Sequence, residues 1–466
     1  MKSRTQALQH PVFSTRAPER RADSPPASSR AALDHFLFAP HERLGSAGDI
    51  WLSGCEGVAL SARGHAAAES AFAGLTSGAA RPLPQWFEDL RGRLAAMFGA
   101  PGCEVVLARS ELEAEDIFDA LAHAALGRPV VRIAAASPER AGDSGPDAPT
   151  FALRDRYGLP READAINAEA ARLAADAIGQ GRDVALHLAD CSESGLAGPT
   201  RAAAEAIAAS FPGRVMVLID SRQMRCAPQH VAADLDAGFA VLLSGSTFAG
   251  GPWGAAALLL PPGFAERIES FALPDPVAAR SAAMDWPPHL RDRLRGEFSA
   301  LADLGLGLRW ECALAELEAF FVVAPELRAE IAAAFAREIR RHLAGTPALK
   351  LIDDGWGAEE SRAIFPILTF DERGRPLKTE PLRRALAEPG VRRGGWAARG
   401  RPVHVGAPLR IGAMKALRLS LSAPLVNDVA ERMSEGRSFA AAFQPVADDL
   451  LEAFSLWSEI AAVDSN

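Results

Sequence analysis

Two apolar runs, each followed by a short polar segment, decide the fold of this chain. The first run ends in Val217-Leu-Ile-Asp-Ser-Arg-Gln223. The second run ends at Leu243, the first residue of Leu243-Ser-Gly-Ser-Thr-Phe-Ala-Gly-Gly-Pro-Trp-Gly254. A continuous apolar run of strand length is typical of a strand that is covered on both faces of its sheet. Ligands of open parallel sheets bind beyond the carboxyl ends of the strands. The polar residues after these two runs are therefore candidates for a binding site.

Similar runs lie on both sides of these two, and segments of helical period separate many of them. Further strands are predicted at 104–109, 129–134, 183–189 and 255–260, and helices at 111–126, 161–178 and 200–210, with a loop at 137–149. This alternation predicts an α/β fold with a mainly parallel sheet and helices on both faces.

The second half of the chain predicts a smaller α+β domain. A proline-rich bend at 285–288 precedes a predicted helical region over 289–322, and later helices alternate with strands near 349–353, 364–370 and 417–421. We expect a disordered tail at 1–30, a large domain at 31–290, and an interdomain helix with a small C-terminal domain at 291–466. Residues 31–80 are expected to pack either on the large domain or on the small one.

Composition excludes several classes of function. The 466 residues carry a net charge of −9, so no basic footprint for nucleic acid is present. No apolar run reaches the roughly 18 residues that a membrane span needs. The five cysteines are scattered and form no CxxC pair, which disfavours a zinc site or a disulfide framework and favours the cytoplasm.

The ordered set of motifs resembles the class V aminotransferase and cysteine desulfurase family, of the fold-type-I superfamily of pyridoxal-phosphate (PLP) transferases. In that family one strand ends in Asp-x-x-Gln, and a later strand is followed by Ser-x-x-Lys-x-x-Gly-Pro-x-Gly. The resemblance runs from about residue 85 to residue 425. It includes Asp190-Cys-Ser-Glu-Ser-Gly-Leu-Ala-Gly-Pro199, the helical segment 306–316 and Leu417-Arg-Leu-Ser420.

The resemblance implies a role for each matching residue. Asp220 and Gln223 match the pair that contacts the pyridine nitrogen and the ring hydroxyl of the cofactor. Arg418 matches the arginine that receives the substrate carboxylate. The phosphate-side positions are Ser244, Ser246 and Ser110.

Local structure alone gives other interpretations of the same residues. Asp220 could cap a helix, the segment after Ser244 could be a tight turn between strands, and Arg418 could be a surface arginine at a strand edge.

The pattern breaks at the position of the lysine that binds the cofactor, which is Thr247. A covalent link to the cofactor needs a primary amine there, and threonine has none. The chain's only lysines are Lys2, Lys350, Lys378 and Lys415, so the whole predicted cofactor domain lacks a substitute.

The segment predicted to form the phosphate cup departs from the family in the same direction. Here it reads Ser110-Glu-Leu-Glu-Ala-Glu115, with Glu111 and Leu112 at the glycine and threonine positions. Acidic residues in a helix's first turn suit the helix dipole, but they also place negative charge where a phosphate would bind.

These two departures predict a catalytically degenerate protein of this fold, with no catalytic residue and no covalently bound cofactor. A vestigial or weak site for PLP or pyridoxamine phosphate is expected at most. The expected partner is a second copy of the chain or a lysine-containing paralogue, for which this chain would be a silent or regulatory subunit. Two alternatives stay open: an enzyme that uses PLP or pyridoxamine phosphate without a lysine, and a module that binds a carboxylate ligand.

Overall fold

The computed structural model describes residues 29–38, 48–53, 60–77, 81–136, 148–225, 227–352, 363–390 and 400–463. The statements below concern these residues. The predicted tail, apart from residues 29 and 30, lies outside them, as does the predicted loop at 137–149 apart from its last two residues.

Seven strands form the large sheet, in the order β2-β8-β7-β6-β5-β3-β4. Only β8 runs antiparallel to its neighbours, and the other neighbouring pairs are parallel. The strands are β2 (Glu104–Ala108), β3 (Val130–Ala135), β4 (Thr150–Phe151), β5 (Asp183–Ala189), β6 (Val215–Asp220), β7 (Ala240–Ser244) and β8 (Ala256–Leu260). The predicted mainly parallel sheet is confirmed.

Four antiparallel strands form the small sheet, in the order β12-β13-β10-β9. They are β9 (Leu349–Leu351), β10 (Ile364–Thr369), β12 (Gly406–Ile411) and β13 (Met414–Ser420). A separate pair of short strands, β1 (Ile50–Trp51) and β11 (Val403–His404), runs parallel beside it.

Helices cover both faces of the large sheet. In chain order they are α1 (Ser29–Leu37), α2 (Ala62–Thr76), α3 (Leu83–Met97), α4 (Glu111–Leu126), α5 (Ala163–Gly179), α6 (Arg201–Ser210), α7 (Pro228–Asp236), α8 (Asp275–Ala278), α9 (Pro288–Arg291), α10 (Leu304–Val322), α11 (Pro325–Ala344), α12 (Thr379–Ala387), α13 (Ala423–Ser434) and α14 (Phe439–Val463). None of these helices is long and apolar enough to cross a membrane.

Alternate residues of each strand enter different cores, as the two-residue period of a strand requires. Val105 and Leu107 of β2 pack with α3, α5 and α10, whereas Val106 and Ala108 pack with α4 on the opposite face. The large sheet is therefore buried on both sides, which explains why its strands are continuous apolar runs.

The predicted helical region over 289–322 is wrong in its first half. Helix α9 ends at Arg291, and α10 begins only at Leu304, where the Asp303 side chain accepts a hydrogen bond from the Leu306 amide at 3.0 Å. Between them Gly296 has a φ of +123°, which interrupts helical geometry. The cap and the left-handed glycine together divide the region in two.

The segment predicted to pack on one domain or the other is shared between both. Leu33 and Leu37 of α1 lie in the core of the large sheet. Ile50 and Leu52, at β1, lie in the core of the small sheet. The N-terminal part of the chain therefore contacts the cores of both sheets.

Candidate functional site

The ends of several strands meet at one edge of the large sheet. Two rows of paired residues define this edge: Ala189, Asp220 and Leu242 across β5, β6 and β7, and Ser244, Ala256 and Ala108 across β7, β8 and β2. The segments that follow β2, β5, β6 and β7 therefore converge there, as parallel strands require. We call this edge, with the part of the small sheet that faces it, the cleft.

Asp220, the last residue of β6, is bound by a neighbouring guanidinium. Arg222 Nε lies 2.8 Å from Asp220 Oδ1 and 2.9 Å from Oδ2, and Arg222 Nη2 also binds the Glu115 carboxylate. Arg222 and Glu115 are both buried. Burial lowers the pKa of Arg222, but the Asp220 carboxylate outweighs it and the pKa is raised. The Asp220 carboxylate therefore already has a cationic partner within the chain.

Ser244 and Thr247 lie together after β7, facing a carboxylate of α4. Ser244 Oγ donates to Glu111 Oε1 at 2.5 Å and lies 3.0 Å from Ser246 Oγ and 3.3 Å from Thr247 Oγ1. Ser244 and Ser246 are buried, and Thr247 is half-buried. Two of the three phosphate-side serines predicted from the sequence, Ser244 and Ser246, are thus adjacent, but the acceptor that Ser244 binds is Glu111.

The beginning of α4 is satisfied by its own side chains. Ser110 Oγ accepts from the Glu113 amide at 3.1 Å, and Glu113 Oε2 accepts from the Arg109 amide at 2.7 Å. This arrangement resembles a capping box, with serine and glutamate three residues apart. In the structure the hydroxyl of Ser110 therefore serves the helix cap.

Arg418 lies in β13, an interior strand of the small sheet, and is 6 % exposed. Its Nη1 binds the Glu193 carboxylate and lies 3.0 Å from the Glu193 carbonyl oxygen. Gln223 Nε2 donates to Glu193 Oε1 at 3.3 Å. The interpretation of Arg418 as a surface arginine at a strand edge is therefore wrong, because the residue is buried and faces the cleft.

None of the described lysines belongs to the large sheet or to the segment that carries Thr247. Lys350, Lys378 and Lys415 are exposed, and all three belong to the segments of the small sheet and α12. The Lys350 ammonium lies 5.2 Å from the centroid of the Phe370 ring. Within the described residues, the Thr247 hydroxyl lies beside the Ser244 hydroxyl, which in turn binds the Glu111 carboxylate, and neither group is an amine.

Sequence reasoning missed Glu115, Arg222 and Glu193. A four-residue period could have revealed Glu115. Acidic residues recur with that period at Glu111, Glu115 and Asp119 and therefore lie on one face of α4. This acidic stripe faces the sheet, where Glu115 and Asp119 both bind Arg132. Carboxylates on the face of a helix that packs against a sheet indicate cationic partners on that sheet.

The arrangement of these residues does not fit PLP. A phosphate at Ser244 would lie against the Glu111 carboxylate, which holds the same hydroxyl, and a pyridinium at Asp220 would lie against the Arg222 guanidinium. Both contacts bring like charges together, and position 247 offers no amine. Within the described residues, no cluster of His, Cys, Asp and Glu could hold a metal ion.

No family model matches this sequence, and no curated protein matches it in sequence. Solved structures do match. A NifS-like protein of Rickettsia africae superposes with a TM-score of 0.55 and 12% identity, over 88% of this chain and 99% of the other. The cysteine desulfurase CsdA of Escherichia coli gives 0.53 and 15%, over 89% and 96% of the two chains. A TDC of Oryza sativa solved with PLP and tryptamine gives 0.55 and 14%, over 96% and 90%. With identities this low, the superpositions establish a shared fold and nothing about chemistry. The chemistry depends on the residues of the site.

Proposed function

We propose that this chain, which has the fold of the fold-type-I PLP-dependent transferases, is a catalytically degenerate protein of that fold. One observation carries the proposal: Thr247, which the resemblance aligns with the lysine, lies beside a serine whose hydroxyl is bound by Glu111. A threonine hydroxyl neither forms an imine nor ionises near neutral pH, so it replaces neither role of a lysine amine. The vestigial site then binds PLP or pyridoxamine phosphate weakly at most.

We further propose that the chain acts as a silent or regulatory subunit, paired with a second copy or with a lysine-containing paralogue. Large apolar side chains are exposed beside the cleft, which supports a partner there: Trp253 follows the Gly251-Pro252 turn and is 65 % exposed, and Leu112 in the first turn of α4 is 40 % exposed. Exposed large apolar side chains that form a patch are typical of protein interfaces. The proposed location is the cytoplasm, where scattered free thiols such as Cys103 and Cys312 stay reduced.

The test is an absorbance spectrum of the purified protein with added PLP, followed by borohydride reduction. We expect no borohydride-sensitive imine band for the natural chain. Thr247→Lys alone should give little imine, because the Glu111 carboxylate still opposes the phosphate. Thr247→Lys combined with Glu111→Gly and Leu112→Thr should give a clear band.

A lysine placed elsewhere controls for imines that form on any exposed amine. Thr76→Lys, near the exposed end of α2, provides that control. A band in the natural chain above the level of this control would end the proposal of degeneracy. A full band in Thr247→Lys alone would instead refute the role given to Glu111.

A further inference from the structure

An ion pair joins the two sheets of the molecule across the cleft. Glu193 follows β5 of the large sheet, and Arg418 lies in β13 of the small sheet. The two side chains are only 16 % and 7 % exposed. Interactions between charges that are mostly removed from water are weakly screened, so this pair is more than a surface contact.

Both oxygens of the Glu193 carboxylate are engaged. Arg418 binds Oε2, and Gln223 donates to Oε1 at 3.3 Å. Arg418 also holds the main-chain carbonyl of Glu193 at 3.0 Å. An arginine and an amide that converge on one carboxylate form a recognition site for a carboxylate, and here the chain itself supplies the group that is recognised.

The boundary between the two sheets has a second contact, in the segment after Thr247. The Ala423 amide at the start of α13 donates to the Phe248 carbonyl at 2.9 Å. A Cβ atom on Gly250 would lie 2.7 Å from Pro424. The backbone after Thr247 is therefore in direct contact with α13, so the small-sheet side of the molecule touches the large sheet here as well as at Glu193 and Arg418.

We propose that Glu193 is a built-in carboxylate ligand of Arg418, which clamps the small sheet onto the large sheet and excludes free carboxylates from the cleft. The ligand class of this site is a small carboxylate anion, which binds only when Glu193 is removed or displaced. The inference rests on the proposed function, because it assumes a cleft that serves no cofactor.

Removal of Glu193 should convert this closed contact into a binding site. The Arg418 guanidinium would lose the Glu193 carboxylate while it stays largely buried, and removal of an anionic partner from a buried cation is strongly unfavourable. A small anion that enters the vacated space would relieve that cost. The neutral isostere of the same anion would not.

The experiment measures the thermal unfolding midpoint of the full chain against acetate concentration, with acetamide as the uncharged probe. We expect Glu193→Ala to show a saturable rise with acetate and none with acetamide. Its apparent affinity for acetate should exceed that of the natural chain by about tenfold or more. The double variant Glu193→Ala with Arg418→Ala should lose the response.

A matched control removes another ion pair. Glu452 binds Arg401 at 2.8 Å, away from the cleft, and Glu452→Ala should show no acetate response. If Glu193→Ala does not fold, Glu193→Ser leaves a similar space beside Arg418 and should respond in the same direction.

An equal response in the natural chain, or no response in either Glu193 variant, would overturn the proposal. The result is independent of the cofactor test, because acetate binding involves no imine band. Failure of one proposal is therefore distinguishable from failure of the other.

Discussion

Asp285 is a carboxyl group whose environment opposes its ionisation. It lies just before α9, only 3 % exposed. Burial raises the pKa of Asp285 to about 7, although the Ala282 amide, which donates to Oδ2 at 2.8 Å, lowers it. The folded state therefore retains a proton on Asp285 over a pH range in which the unfolded chain has lost it.

This difference predicts how stability changes with pH. The folded pKa of about 7 lies above the ordinary aspartate pKa of 3.8, so the stability that Asp285 contributes is fully present below pH 3.8 and is lost as pH rises through 7. The loss is about 1.4 kcal/mol per pH unit across that window. Asp285→Asn should remove this loss, so urea unfolding should show the variant gaining stability relative to the natural chain as pH rises from roughly 5 to roughly 8.

An exposed aspartate provides the control for this measurement. Asp176 forms an exposed i,i+4 ion pair with Arg172 at 2.7 Å. Such pairs contribute about 0.5 kcal/mol or less, so Asp176→Asn should leave the pH dependence unchanged. Parallel curves for Asp285→Asn and the natural chain would show that Asp285 ionises normally in the folded state.

For single residues, the sequence predicts which side chains come together at the site, but not which groups they bind. Asp220, Ser244 and Thr247 follow neighbouring parallel strands, and such strand ends must meet. The bonds of Arg418 to Glu193 and of Arg222 to Glu115 join residues 225 and 107 positions apart. No local pattern encodes such pairs, and the roles inferred from the resemblance stay predictions.

A contact between two loops shows how closely the elements of the two sheets approach. Gly158, in the loop after β4, has a φ of +88°, and Gly412, in the turn between β12 and β13, has a φ of +58°. A Cβ atom on Gly158 would lie 2.9 Å from the Gly412 nitrogen. Backbone meets backbone here, so neither position has room for a side chain.

Alanine at Gly158 should therefore cost more than the strain of a left-handed backbone alone. Gly374, with a φ of +73° and nothing within 4 Å, isolates that strain. We expect Gly374→Ala to lower the free energy of unfolding by about 1–2 kcal/mol. We expect Gly158→Ala to lower it by about 1–3 kcal/mol more, because of crowding. Equal losses in urea unfolding would mean that the loops separate at little cost.

Elements with a long periodic or apolar run could be predicted from the sequence, and short ones could not. The strands β7 and β8 are buried along their whole length, which matches their apolar runs. The two-residue strands β1 and β4 carry no detectable period, because their pairing depends on distant partners. The break before α10 depends on the Asp303 cap, which apolar spacing does not reveal.

The molecule as a whole should associate through the apolar side chains beside the cleft. One chain has a mass of 49.3 kDa, and light scattering should give about twice that value for the purified protein. Trp253→Ser should shift the population toward the monomer, because Trp253 is largely exposed beside the turn after Thr247. A monomer at every concentration tested would contradict self-association and leave pairing with another chain as the proposal.

Leu451, in α14, serves as the comparison for Trp253. It is also an exposed large apolar residue, at 52 % exposure, but it belongs to the C-terminal helix rather than to the edge of the cleft. Leu451→Ser should leave the measured mass unchanged. An equal effect of both substitutions would point to a general loss of solubility or stability instead of a specific interface.

The α/β class and the mainly parallel sheet could be predicted from the sequence, because alternating strands and helices admit few arrangements. The way in which the small sheet faces the large one could not. That placement depends on close contacts such as Gly250 with Pro424 and on the ion pair of Glu193 with Arg418. Each is specific to side chains or backbone that come together only in the folded chain.

The hydrogen bond between Ser244 and Glu111 also bears on how this chain can change by mutation over generations. A lysine regained at position 247 brings no benefit while the carboxylate beside it opposes a phosphate. Loss of Glu111 first would remove an acceptor from a buried hydroxyl and one of the negative charges that favour the buried Arg222 cation. Either first step costs stability or yields nothing, so under the proposed function a lineage with this arrangement would not reach cofactor chemistry by single substitutions at these two positions.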